Sequence, residues 1–134
     1  IAYLGVTGMD MDAGMQQITQ DHSLVEEMVR LGQLTKEEAR MHPDKNIITR
    51  AIGAGQKVQV DYFETELNEG DMILLCSDGL TNMVEDDHIH QIIMSMKDVK
   101  ETANELIRVA NEHGGKDNIA VILVVPDTKE VEKC

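Results

Sequence analysis

The chain has 134 residues and a mass of 14.9 kDa, which suits one compact domain with a real core. Hydrophobic residues make up 42% and charged residues 28%, and the apolar residues fall in periodic blocks, which excludes collagen-like and disordered readings. With 12 Lys and Arg against 25 Asp and Glu the net charge is −13, which opposes the counterion release that drives nucleic-acid binding and repels anionic membranes.

Ile1-Ala-Tyr-Leu4 is a short β-type run, and Met15 to Thr19 is its candidate partner across a Gly- and Asp-rich loop from Gly5 to Gly14. Ser23 with Glu26, and Thr35 with Glu38, have the spacing of helix-capping boxes. The first helix is expected to end at Gly32 and the second before Pro43, because the pre-proline residue His42 disfavours helical dihedrals. Residues 21–53 therefore form a small helical excursion. Val58, Val60 and Tyr62 alternate with polar residues, the pattern of a strand with one wet face, and Asn68 to Asp71 turns the chain.

Met72 to Cys76 is apolar throughout, as expected of a strand covered on both faces or held centrally in a layered fold. Ile89, Ile92, Ile93 and Met96, then Val99, Ala103, Leu106, Ile107 and Ala110, follow helical spacing. Gly114-Gly115 ends the second of these helices, and residues 118–125 form another fully apolar strand before a charged tail, 126–134. The order predicts an α+β fold, with helices layered on an antiparallel or mixed sheet that spans 54–125 with its helix pair. The longest apolar run, Ile119 to Val125, is far short of the roughly 20 residues of a membrane span. Cys76 and Cys134 imply no disulfide framework, so a soluble, cytoplasmic protein is expected.

Asp78 lies just after one apolar strand and Asp117 just before the other. If the strands are antiparallel, both carboxylates reach one edge of the sheet, each near glycine, and two hard oxygen donors suit Mg²⁺ or Mn²⁺ better than zinc. The same residues also suit two ordinary turns. Asp10, Asp12 and Asp21 are a poor match to an EF-hand, because Gly14 is one place early. His88 and His90, two apart on a helix, read as solvated or core histidines; His22 and His42 read as local hydrogen-bonding groups, and His113 as a candidate support for Asp117. Cys76 reads as a buried small hydrophobe.

The stretches Leu74-Leu-Cys-Ser-Asp-Gly-Leu80 and Gly114-Gly-Lys-Asp-Asn-Ile119, with Gln17-Ile-Thr-Gln-Asp-His-Ser23, His42-Pro43, Asn46 and Gly53, resemble the metal-dependent protein serine/threonine phosphatases of type 2C, above all the bacterial branch. The resemblance covers nearly all of Met15 to Val125. It implies part of an α-β-β-α sandwich, mostly antiparallel sheets flanked by helix pairs, and assigns Asp78 and Asp117 as ligands of a binuclear Mn²⁺/Mg²⁺ centre, with Asp78 also reaching a third ion. Ser77, Gly79 and Asn118 are implied as supporting residues. Residues 21–53, with His22, Ser23, His42 and Asn46, are implied to be the flap beside the active site. The implied reaction is attack of a metal-activated water on phosphoserine or phosphothreonine of proteins, with phosphoprotein substrates of a serine/threonine kinase as partners.

The family's phosphate-holding Arg, its Asp-Gly-Met-Gly-Gly-His stretch and its Gly-Asp-Ser-Arg motif are not in this sequence. The resemblance is therefore to the C-terminal part of a phosphatase, one partial domain expected to be inactive alone. The alternative is a catalytically inactive module that binds phosphoproteins or a kinase. Unpaired strands and apolar faces further predict a dimer or a strand-swapped assembly.

Overall fold

A computed structural model describes residues 2–5, 14–57 and 59–126. The loop after Gly5, the EF-hand-like Asp10 and Asp12, Val58, Cys134 and the tail beyond Pro126 lie outside the described residues. The chain divides into two compact units, Ile1–Thr19 with Glu64–Cys134, and Gln20–Phe63.

The first unit is built on a four-stranded sheet of β1 (Ala2–Gly5), β2 (Met15–Gln17), β3 (Met72–Cys76) and β4 (Val121–Val124) in the order β2-β1-β3-β4. Every pairing is antiparallel, with Tyr3 opposite Gln17 and Leu74, and Leu74 opposite Leu123. The expected Asn68–Asp71 turn feeds β3: the Asn68 N–H donates to the buried Asp71 carboxylate at 2.6 Å, and Gly70 takes a positive φ of 92°. That bond satisfies one polar atom of a carboxylate that would otherwise be costly to bury.

Among the described residues this unit has three helices: α3 (Asp78–Thr81), α4 (Asp86–Ser95) and α5 (Val99–Glu112). Asp98 caps α5 through its side chain, which accepts from Glu101 N–H at 2.8 Å. Ile89, Ile92 and Ile93 of α4 and Leu106 and Ala110 of α5 pack with Leu74, Cys76, Leu80 and Val84 in one core, as their helical spacing predicts; Val109 joins them, while Val99, expected on the same face, is exposed. The single helical turn α3 was not anticipated. Asp78-Gly79 reads locally as a turn, and Leu80 makes it a helix by dropping into the core at 0% exposure.

β3 and β4 are apolar at every position, yet only one face of each is covered. Leu74 and Cys76 are buried and Val121 and Leu123 pack beside them, whereas Leu75 and its partner Ile122 are 40% and 58% exposed. Of the two expectations, the central place is met, since β3 lies between β1 and β4, while on its other face Ile73 is half-buried and Leu75 exposed among the described residues. Of the strand expected over 58–62, Val58 lies outside the described residues and 59–62 take no regular form, with Tyr62 exposed. Alternation marks a wet and a dry face, but a strand exists only where a neighbouring backbone completes its hydrogen bonds.

The second unit holds α1 (Leu24–Arg30) and α2 (Lys36–Met41). Thr35 and Glu38 form the full capping box, at 3.1 and 2.7 Å, while Ser23 makes only its own half, accepting from Glu26 N–H at 3.3 Å. Gly32, with φ of 71°, ends α1, and Gln33 N–H reaches back to Met28 O at 2.8 Å. Ser23 and Ile48 form an antiparallel bridge closed by Leu24 N–H to Ile47 O and Thr49 N–H to His22 O. Val25 and Ala39 are the buried residues of the two helices.

Neighbouring leucines on opposite faces of β3 test which face is the core. Leu74→Ala is expected to cost about 2–5 kcal/mol in urea denaturation, and Leu75→Ala less than about 1 kcal/mol. Equal losses would contradict the one-sided packing.

Candidate functional site

The antiparallel register of β3 and β4 pairs Cys76 with Val121, so the chain leaving β3 and the chain entering β4 meet at one edge of the sheet. Asp78 follows one and Asp117 precedes the other. Both side chains are exposed there.

Ser77 locks the two segments together. Its N–H donates to Ala120 O at 3.0 Å, its hydroxyl donates to Asn118 O at 3.0 Å, and the same oxygen accepts from Ala120 N–H at 3.0 Å. Ser77 stands at the N-cap position of α3, yet its hydroxyl makes no cap bond, because the β4 segment holds it. Gly79 is required by the same closeness. A Cβ there would run into the Asn118 carbonyl, with the carbonyl carbon 2.9 Å away. Asn118 N–H in turn donates to Asp117 Oδ1 at 2.7 Å, which fixes that carboxylate against its own backbone.

The donor set at this edge is two carboxylates. Among the described residues, no group of three or more His, Cys, Asp or Glu side chains forms a metal cluster. Two hard oxygen donors in exposed positions fit Mg²⁺ or Mn²⁺ as part of its coordination, with other oxygens completing it. Ser77, Gly79 and Asn118 fit a supporting role through the contacts above.

His22, Ser23, His42 and Asn46 all lie in the second unit. His22 is not a local hydrogen-bonding group: its Nε2 pairs at 2.8 Å with Asp61, 39 residues away, and the same Asp61 oxygen accepts from Arg50 at 2.9 Å. His42 does bond locally, its Nδ1 accepting from Asp44 N–H at 3.1 Å. Asn46 sits exposed in the turn after Pro43. Arg50 and Asp61 carried no sequence signal, since they lie 11 residues apart in no shared motif.

The remaining histidines separate. His88 is exposed, and its ring lies 5.9 Å from that of His113, centroid to centroid. His90 Nε2 is buried with no partner among the described residues. His113 bonds through Nδ1 to Met83 O at 2.8 Å.

Two outcomes follow. Gly79→Ala is expected to destabilise the chain by about 1–3 kcal/mol in urea denaturation, since a backbone carbonyl cannot yield as a side chain can. An unchanged midpoint would show that the two loops are not in contact. In the second unit, the hydrogen bond from His22, then that from Arg50, holds the Asp61 carboxyl below its ordinary value of 3.8. A carboxyl lowered by folding contributes stability that is complete above pH 3.8 and is lost as pH falls through the lowered value. Asp61→Asn should therefore speed amide exchange at Leu24 and Thr49 at neutral pH, and the difference from wild type should shrink on acidification below 3.8. A difference independent of pH would contradict the pairing.

Comparison with known proteins bears on what this edge is. The chain matches the family model described as protein phosphatase 2C over residues 9–119. It is 48% identical over 113 residues to the serine/threonine phosphatase stp of Listeria monocytogenes, covering 84% of this chain and 45% of that protein. Among solved structures it resembles the S. agalactiae serine/threonine phosphatase, with a TM-score of 0.80 and 40% identity, covering 93% of this chain and 50% of that one. It also resembles the catalytic domain of the phosphatase PstP in complex with two manganese ions, with a TM-score of 0.72 and 34% identity, covering 91% of this chain and 47% of that one. The chain spans about half the length of the curated relatives it matches. The match to the family model over most of the chain's length, the relatives and the fold agree: this chain belongs to the protein phosphatase 2C family.

Proposed function

We propose that this chain forms the C-terminal part of a metal-dependent phosphatase that hydrolyses phosphoserine and phosphothreonine on proteins. The observation that carries the reading is the pairing of β3 with β4, which sets the Asp78 turn against the Asp117 loop. Family membership supports the reaction, and the relatives named as serine/threonine phosphatases support the substrate class.

In this reading Asp78 and Asp117 hold Mn²⁺ or Mg²⁺, and Ser77, Gly79 and Asn118 keep their loops at a fixed separation. A structural neighbour in complex with two manganese ions supports the choice of metal. The ions supply a water of lowered pKa and positive charge for the phosphoryl oxygens. The protein's own contribution is electrostatic placement. At a net charge of −13 the chain repels a phosphate dianion, so a substrate gains attraction only where the acidic loops have gathered cations. The phosphate-holding Arg and the other metal ligands are assigned to the portion of the relatives that this chain does not match.

The test is a chimera that joins the non-matching half of the Listeria phosphatase to this chain, assayed on a phosphothreonine peptide with Mn²⁺. Hydrolysis is expected, with Asp78→Asn or Asp117→Asn lowering kcat at least about 100-fold, while the 134-residue chain alone shows little turnover. A folded chimera whose turnover is indifferent to both substitutions would overturn the proposal.

A further inference from the structure

The Asp117 loop is anchored at both ends to the segment that bears Asp78. One anchor is Ser77, which holds Asn118 and Ala120. The other is His113, four residues before Asp117, whose ring Nδ1 lies 2.8 Å from the carbonyl of Met83. A carbonyl only accepts, so Nδ1 carries the proton and donates.

Met83 lies just past Asn82, the C-cap of α3, where the chain has left the helix and the Met83 carbonyl has no place in its hydrogen-bond ladder. His113, the C-cap of α5, supplies its partner. Immediately after it Gly114 and Gly115 take positive φ values of 127° and 49°, which turns the chain out of the helix. Asn111 closes on that turn so tightly that a Cβ at Gly115 would lie 2.7 Å from its Oδ1. The His88 ring, 5.9 Å away from that of His113, flanks the imidazole from the first turn of α4. Between the anchors at 113 and 118 only four residues remain, one of which is Asp117.

We infer that His113 is a positioning residue: its hydrogen bond to the Met83 carbonyl holds the Asp117 loop in place against the Asp78 turn. The inference rests on the reading of Asp78 and Asp117 as metal ligands for its purpose, but not for its geometry. His113 touches neither substrate nor metal in this account. It acts by keeping the second carboxylate near the first, so that little ordering remains when a cation binds.

The experiment uses the isotope-labelled 134-residue chain and three variants, His113→Ala, His113→Gln and His113→Asn. The amide of Asn can take the position of the imidazole Nδ1–H, whereas Ala has no donor and Gln places its amide one bond too far out. In metal-free solution, Ala and Gln are expected to speed amide exchange at Asn118 and Ala120 roughly fivefold, in keeping with the loss of one hydrogen bond, with Asn within about twofold of wild type. Unchanged protection at Leu74 and Leu106 shows that the core is intact in each variant.

Titration with MnCl₂ then reads the second consequence. Broadening of the Gly79 and Asn118 signals should need roughly fivefold more Mn²⁺ in the Ala and Gln variants than in the wild type or the Asn variant. Exchange at Asn118 and Ala120 that is unchanged in Ala and Gln, or raised equally in all three variants, overturns the inference. Wild-type chain that shows no broadening centred on these residues overturns the metal reading instead, and the exchange data still decide whether His113 holds the loop.

Discussion

The Ser77 hydroxyl, which donates to Asn118 O and accepts from Ala120 N–H, is the contact on which the candidate site depends. A sheet ladder alone would bring the ends of β3 and β4 to one edge, but the ladder stops at Cys76 and Val121. Beyond it both chains become loops, and loops need their own reasons to stay together. Ser77 extends the pairing past the sheet, its N–H donating to Ala120 O and its side chain adding two further bonds to the same segment. The absence of Cβ at Gly79 allows the approach, and the Asn118 N–H bond to Asp117 sets the carboxylate on its own loop.

Packing behind the edge fastens both loops to one core. Leu80, on α3, and Leu74, on β3, are among the most deeply buried side chains, so the turn that carries Asp78 is fastened to the same core as the strand before it. On the other side Leu106, Val109 and Ala110 seat α5 in that core, and the Asp117 loop starts from the end of this helix. This edge therefore offers two exposed carboxylates on a base fastened to the core.

Much of this could be read from residue order. The two Asp motifs with a helix pair between them, the capping box at Thr35, the stop before Pro43 and the core positions of α4 and α5 all rest on local patterns that survive folding. What could not be read depends on partners distant in sequence. Residues 58–62 alternate as a strand does, but alternation names no neighbour, and none completes a strand over residues 59–62. The all-apolar Met72–Cys76 fits either a doubly covered strand or a central one, and composition cannot choose; β3 is central in its sheet, with Leu75 and Ile122 exposed. Asp61, shared by His22 and Arg50, and His113 on the Met83 carbonyl are pairings across 39, 11 and 30 residues, with no motif to announce them.

The central claim is that antiparallel pairing makes Asp78 and Asp117 ligands of one divalent metal site. Anomalous diffraction from crystals of the chain soaked in MnCl₂ tests it most directly. The account predicts a manganese peak at the β3–β4 edge in contact with both carboxylates, absent in Asp78→Asn crystals. Manganese bound elsewhere, or at one carboxylate with the other turned away, would contradict it.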